Sequence, residues 1–408
     1  MTSVSLEHYP VVTLPDLVGT TGIFVDGDWI ESKDQDINGD VRLIQLADIG
    51  VGEYLDKSNR FMTTAKAKAL KCTFLKSGDI LIARMPDPIG RSCIFPGDDM
   101  PCVSVVDVCI FRPDTSLAHS NWLVHMINSP GFRNEISTWV TGTTRQRISR
   151  GNLSNLKFPL PPLDEQRRIA SILDKADTIR KKRQESTRLA EEFINCAFLD
   201  MFGDPVTNPK RWPVVRLGDV IEGNPNNGIF RKNEDYGGNV PVIWVKELFT
   251  GYVIDTSTSL GLSPTAKERE KYSLRRGDIL FCRSSLKLGG IGYTNVYWGD
   301  DGEALFECHL IRVRPKKNIM NGVFYNFLLR QPGMRERIIK LSNTVTMSTI
   351  GQDQVRNIKH FLPPIILQER FAASVLKSIE KQKSKDAFGE LTNQLFNSLS
   401  SRAFQGEL

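Results

Sequence analysis

Apolar and polar positions along this chain follow two rhythms, and both recur after about two hundred residues. Short apolar runs, "GDILIA" (78–83) and "GDILFC" (277–282), each follow a Gly-Asp pair and predict buried strands opening out of a turn. "PCVSVVDVCIFRP" (101–113) and "ALFECHLIRVRP" (304–315) are apolar, rich in β-branched residues and closed by proline, so strands are expected there too. His309 falls inside the second of these and reads as a satisfied core histidine. "NWLVHMINSPGFRNEI" (121–136) and "VFYNFLLRQPGMRERI" (323–338) carry helical spacing broken by a proline, which predicts helix, turn and second helix.

Behind Pro161-Pro162 and again behind Pro363-Pro364 the period becomes that of a long amphipathic helix. Ile169, Ile172, Leu173, Ala176 and Ile179 mark one face, resumed by Leu189, Phe193, Ala197 and Met201. Asp164 or Glu165 places negative charge in the first turn, where the helix dipole favours it. Gly203 is suited to cap the other end, with Pro205 beyond it. In the second copy Phe371, Val375, Leu376 and Ile379 form the stripe, resumed by Phe388, Leu391, Leu395 and Leu399. Each helix would be about 38 residues, or about 57 Å, long. A helix of that length with one apolar stripe needs a partner, and the two copies pairing antiparallel is the simplest closure.

The recurrence extends through the whole chain. "YPVVTLPDLV" (9–18) is echoed by "WPVVRLGDVI" (212–221), "RLIQLADIGVG" (42–52) by "PVIWVKELFTG" (241–251), and "KSGDILIAR" (76–84) by "RRGDILFCR" (275–283). "NSPGFRNEI" (128–136) returns as "RQPGMRERI" (330–338), and "NLKFPLPP" (155–162) as "NIKHFLPP" (357–364). Matches in constant order, at offsets of 199 to 203 residues, define a tandem repeat. The expected organisation is a mixed α/β module over 1–160, a long helix over 161–203, a second module over 204–362 and a second helix over 363–408.

Composition changes this picture little. Hydrophobic content of 40% and charged content of 25% are those of an ordinary globular protein. No apolar run approaches the length of a membrane span, and the first residues lack the pattern of a secretory signal. Seven scattered cysteines without a CxxC pair indicate neither a disulfide framework nor a zinc site, and a reducing cytoplasm is the expected setting. The net charge of +6 is compatible with a nucleic-acid partner without requiring one. The sequence has no phosphate loop, glycine pattern for a methyl-donor pocket, HExxH or His/Cys cluster, and "MPDPIG" (85–90) is not followed by the ExK of a nuclease. Catalysis is therefore not expected of this chain, and neither is a bound cofactor or metal.

Candidate chemistry lies in loops. "VTGTTRQRISR" (140–150) offers Thr143, Thr144, Arg145, Gln146 and Arg147. Arginine suits guanine, glutamine suits adenine, and threonine suits phosphate or the thymine methyl. The matching segment "NTVTMSTIGQD" (343–353) keeps Thr346 opposite Thr144 and Ile350 opposite Ile148, but places Met347 and Thr349 where the arginines were; Ser348 completes its candidate set. A kept frame with changed side chains is what two readers of two sequences would show. Arg84 and Arg283 end matched strands and lead into dissimilar loops, with Lys287 in the second. For these arginines pairing with a neighbouring carboxylate is the alternative. Gln45 and Trp244 are weaker candidates, and "RKKR" (180–183) reads as a solvated helix face.

The stretch "LPPLDEQRRIASILDKADTIRKKRQ" (160–184), its second version "LPPIILQERFAASVLKSIEKQKSKD" (362–386) and "FLDMFGDP" (198–205) resemble the DNA-specificity subunit of Type I restriction–modification systems. The resemblance covers essentially the whole chain. In the second version Ile366 and Leu367 stand where Asp164 and Glu165 stand in the first, and Gln368 alone keeps its match to Gln166.

The family resemblance implies an α+β fold of two repeated α/β target recognition domains separated by two long conserved helices forming an antiparallel coiled coil. Ile169, Ile172, Leu173, Ile179, Phe193, Phe371, Val375, Ile379, Leu391 and Leu395 would line the spacer helices or meet partners. It also implies double-stranded DNA with a bipartite target, each domain reading one half while the helices set the gap. Methylation and cleavage would belong to partners: two adenine-N6 methyltransferase subunits using S-adenosylmethionine, and restriction subunits using ATP and Mg. Membership of a methylation-only complex, a coiled-coil protein scaffold without DNA reading, and an enzyme with a hidden centre are the alternatives.

Overall fold

A computed structural model describes residues 9–404 except 233–234, 258 and 345–347; the side chains of 343, 344, 348, 382–393, 395, 397, 401 and 403 also lie outside the description. The chain divides into two compact units, residues 1–184 with 387–408 and residues 185–386. The division runs through both long helices, so each unit combines one module with a segment of each helix.

In the first unit a four-stranded antiparallel sheet runs in the order Ile23–Asp26, Val108–Arg112, Ile80–Ala83, Ser92–Ile94. Beside it Val41–Ile44 pairs parallel with Cys102–Ser104 and antiparallel with Phe61–Met62. The second unit repeats both sheets: Asn226–Asn227, Leu310–Val313, Ile279–Cys282 and Thr294–Val296 in the larger, and Tyr236–Ile243 between Gly261–Leu262 and Leu305–Phe306 in the smaller. The runs 101–113 and 304–315 are therefore not single strands. Each is cut in two by a turn, and its halves enter different sheets.

The Gly-Asp turns form as the sequence predicts, and the structure supplies their reason. Gly78 and Gly277 take φ of +94° and +96°, which glycine adopts without a Cβ penalty. The carboxylate behind each accepts the backbone N–H of the residue three positions earlier, Lys76 to Asp79 and Arg275 to Asp278, both at 2.8 Å. Each buried carboxylate is then forked by an arginine: Arg112 meets Asp79 at 2.6 and 2.7 Å, and Arg314 meets Asp278 at 2.8 and 2.7 Å. Fork-to-fork contacts of this kind satisfy the charge that burial would otherwise penalise.

The long helices span Leu163–Phe202 and Ile365–Ala403. Glu165 in the first turn is bridged by Arg168 at 2.7 and 2.8 Å, and Gly203 takes φ of +78° just past the end. In the second helix Ile366 is exposed and Leu367 packs on the core. Ile169 and Leu173 are buried in the first unit, with Ile172 half-buried. Phe396 and Leu399 of the second long helix, and Phe404 just beyond it, pack against that same core. In the second unit Phe371 and Val375 are buried, Ile379 is half-buried, and the first helix contributes Ile194, Phe198 and Phe202.

The expected stripe needs correction here. Ile179, Leu189 and Phe193 are exposed, Phe193 by 73%, and the helix re-enters a core one position later in register. Its anchor is aromatic. Phe198 and Phe202 meet Phe371 at 5.5 and 5.7 Å between ring centroids, and Phe202 meets Phe324 at 4.7 Å. Burying each such ring contributes about 1.5–3 kcal/mol. Met201, the last position of the expected stripe, packs on the same core, half-buried. Leu391 and Leu395 lie on the second helix, with side chains outside the described residues.

Candidate nucleic-acid interface

The strand Ile80–Ala83 delivers Arg84 to its end, and the Arg84 carbonyl accepts the backbone N–H of Ile148 at 3.1 Å. Ile148 is fully buried, so it pins the foot of a loop whose other residues, Thr141 to Arg147, are all exposed. Paired hydrogen bonds between the backbones of Thr141 and Arg147, at 2.9 and 3.0 Å, close the loop as a hairpin, with Gly142 at φ +95°. Thr143, Thr144, Arg145 and Gln146 form its tip. None of the four side chains makes a hydrogen bond to another of the described residues.

The second unit repeats the suspension. The Arg283 carbonyl accepts the N–H of Ile350 at 2.9 Å, and Ile350 is buried. Ser284–Ser285 pairs with Ser348–Thr349, which joins the loop carrying Lys287 to the segment matching the first hairpin. Lys287 is exposed and flanked by exposed Leu286 and Leu288. Thr346 lies outside the described residues, and Ser348 is placed by its backbone alone.

Arg84 and Arg283 hold equivalent positions but opposite environments. Arg84 is only 3% exposed; its Nε lies 3.4 Å from Asp26, and its guanidinium reaches Asp107 at 3.9 Å and the Val106 carbonyl. The same two carboxylates bind the loop, Asp107 to Arg147 at 3.6 Å and Asp26 to Arg150 at 3.3 Å. In the second unit Asn227 replaces Asp26 in the sheet register. His309 replaces Asp107: the N–H of Arg84 donates to the Asp107 carbonyl at 2.9 Å and that of Arg283 to the His309 carbonyl at 2.7 Å. Arg283 is accordingly exposed, with one long contact to the Cys308 carbonyl at 3.5 Å and no ion pair among the described residues. Arg84 is thus a structural arginine that carries the loop, and Arg283 is a free one.

His309 itself departs from the reading as a core residue. It sits in the turn between strands with its side chain 59% exposed, and its Nδ1 meets buried Glu307 at 2.7 Å. Nor is a His/Cys cluster missing: Glu307, Cys308 and His309 bring their ligand atoms within 4.8 Å of one another. Arg180 of the "RKKR" run is paired rather than solvated, 2.6 Å from Asp177 and 5.0 Å from the Phe396 ring centroid. Lys181 reaches Glu53 at 3.5 Å.

Gln45 and Trp244 prove to be turn residues. Their backbone N–H groups donate to Asp48 and Glu247 at 2.7 and 3.0 Å, both carboxylates being buried. Sequence reasoning passed over Arg91, which is buried and donates to the carbonyls of Leu46, Ile49 and Pro86 at 2.7–2.9 Å. Burial, followed by the nearby Arg133, holds its guanidinium below the usual range. Among the described residues no helix is long and apolar enough to cross a membrane.

A family profile described as the Type I restriction modification DNA specificity domain matches residues 23–189 and 209–386. The Type I restriction enzyme StySPI specificity subunit of Salmonella potsdam is 24% identical over 316 residues, covering 73% of this chain and 67% of that protein. The EcoKI specificity subunit of Escherichia coli K12 is 23% identical over 318 residues, covering 73% and 68%. Among solved structures, the Type I restriction–modification S subunit from M. genitalium aligns with a TM-score of 0.59 at 15% identity, covering 97% of this chain and 96% of that one. A chain solved in work on complex assembly and conformational transition of the type I R-M system aligns with a TM-score of 0.53 at 18% identity, covering 98% of each. Both likenesses carry the fold across two modules and two long helices, and the profile matches each module in turn. The chain therefore belongs to the family of Type I restriction–modification DNA specificity subunits.

Proposed function

We propose that each module reads one half of a bipartite double-stranded DNA target and that the two long helices, paired antiparallel as a coiled coil, set the gap between the halves. The observation that carries this reading is the repeated attachment of a strand-end arginine, through its carbonyl, to Ile148 and Ile350, each ending a segment whose sequence differs between the modules and which is an exposed hairpin in the first. A constant frame with variable tips suits direct readout, in which the frame positions and the tip side chains specify. On this reading Thr143, Thr144, Arg145, Gln146 and Arg147 serve the first half-target, and Arg283, Lys287, Thr346 and Ser348 the second. Arg84 serves the first indirectly, by holding the loop. The recognition modules span 1–160 and 204–362, and the spacer helices 161–203 and 363–408.

The chain contributes recognition and no chemistry of its own. Two adenine-N6 methyltransferase subunits, with S-adenosylmethionine, modify the target, and restriction subunits, with ATP and Mg, carry out cleavage. Ile179, Leu189 and Phe193, apolar and exposed on the first long helix, are the surface offered to such partners. The complex acts in the cytoplasm. Genome-wide adenine-methylation mapping in a host carrying the system tests the reading: it should return two short half-sequences separated by a fixed gap. A single continuous target, or no sequence preference, would overturn it.

A further inference from the structure

In the second unit the chain turns between Leu305–Phe306 and Leu310–Val313 through Glu307, Cys308 and His309. Three different donor atoms converge there, all within 4.8 Å of one another. Glu307 is 3% exposed, and its Oε2 accepts the backbone N–H of His309 at 2.8 Å and meets Nδ1 at 2.7 Å. Its other oxygen, Oε1, is buried and has no hydrogen-bond partner among the described residues. A buried carboxylate oxygen left unpaired is costly, so an unpaired one on the carboxylate that already meets the imidazole and lies near the thiol points to a missing occupant. Cys308 Sγ lies 3.7 Å from the same Nδ1.

We propose that Glu307, Cys308 and His309 form a binding site for a divalent cation of the zinc class. Carboxylate oxygen, thiolate sulfur and imidazole nitrogen are the donors zinc takes, and three protein ligands leave a fourth position for water at this half-exposed turn. Metal–ligand bonds of about 2.0–2.3 Å place tetrahedral ligands about 3.3–3.7 Å apart, which the sulfur–nitrogen separation already meets. The Nδ1–Oε2 contact is the proton-bridged form of the same arrangement. The cation takes the place of that proton at Nδ1, the neutral ring carrying its N–H at Nε2 instead, and the thiol proton leaves to solvent. The first unit supplies an internal contrast, since Val105, Val106 and Asp107 occupy the corresponding turn and offer one ligand in place of three. The carbonyls of Cys308 and His309 accept from Arg283, so a bound cation would stiffen the seat of that arginine.

Cobalt(II) is the probe. The full chain, in complex with its partner subunits if these are needed to purify it, is stripped with chelator and titrated with Co(II) in the absence of DNA. The expected result is a saturable thiolate-to-cobalt charge-transfer band that zinc abolishes, absent in Cys308→Ser and weakened at least tenfold in His309→Ala. A band that neither substitution alters, or no band at all, would overturn the site. Zinc content of the unsubstituted protein after gel filtration is a second measurement that needs no variant: a substoichiometric trace after loading with excess zinc also overturns it. Because no DNA is present, failure here leaves the half-target assignment untouched.

Discussion

The side-chain oxygen of Gln166 accepts the backbone N–H of His119 at 2.8 Å, at the point where the first long helix meets the helix Ser120–Asn128. Its amide donates back to the Pro161 carbonyl at 2.8 Å. In the second unit Gln368 does the same with Asn321 N–H at 3.0 Å and the Pro363 carbonyl at 2.7 Å. Both glutamines are fully buried. The residue that keeps its place while its acidic neighbours change is therefore a clamp between each long helix and its module.

Replacing either clamp by leucine leaves a buried N–H and a buried carbonyl unpaired. Gln166→Leu and Gln368→Leu should each cost about 1–3 kcal/mol of stability. Urea unfolding followed by tryptophan fluorescence measures this, and a shift under about 0.5 kcal/mol would show that water replaces the clamp.

The two strand-end arginines should separate by phenotype. Arg84→Ala leaves the half-exposed Asp26 and Asp107 without their buried partner and should lower stability by about 1–3 kcal/mol, loosening the hairpin as well. Arg283→Ala should leave the melting temperature unchanged while weakening recognition of the second half-target. Equal thermal losses in both variants would contradict the difference in burial.

Arg145→Ala and Arg147→Ala should weaken one half-target only. A lost base contact costs about 1–3 kcal/mol, or roughly five- to 150-fold in discrimination. Methylation mapping checks this directly, and equal relaxation of both halves would end the one-module-per-half assignment.

Shortening the helices should change the gap and nothing else. Removing seven residues within Lys181–Arg188, with seven from the middle of the second long helix, subtracts about 10.5 Å. That is about three base pairs at 3.4 Å per step. Mapped half-sequences should stay as they were while the spacer shortens, and an unchanged spacer would remove the ruler.

His360 should give the second unit an acid-sensitive component. It lies buried in the strand Lys359–Phe361, its Nδ1 2.9 Å from the Phe361 carbonyl, and burial pushes its pKa down to about 4. The folded form thus prefers the neutral ring, whereas the unfolded chain protonates near about 6.5. Stability from this group is complete above that value and declines as pH falls toward 4, by on the order of 3 kcal/mol in total. The first copy has Phe158 in this position, so His360→Phe should flatten the decline between about pH 7 and about pH 4.5 in urea titrations. An equally steep decline in the variant would assign it elsewhere.

The sequence by itself determined the tandem repeat, the strands behind each Gly-Asp turn, the helix–turn–helix pairs and the two long helices. These rest on short-range physics: a glycine at positive φ, an aspartate three residues from the N–H it caps, and an apolar period read over one element. The tertiary structure alone decided which side chains those elements bury. A helix of 40 residues offers more apolar positions than any one module can cover, so Phe198 and Phe202 rather than Phe193 were chosen by the aromatic cluster around Phe324 and Phe371. Likewise Arg84 and Arg283 look alike in sequence, yet one is enclosed by Asp26 and Asp107 and the other is free, because their neighbours come from strands far away along the chain. Local pattern sets what an element is. Its partners are set by contacts between residues distant in sequence, whose energies no local pattern records.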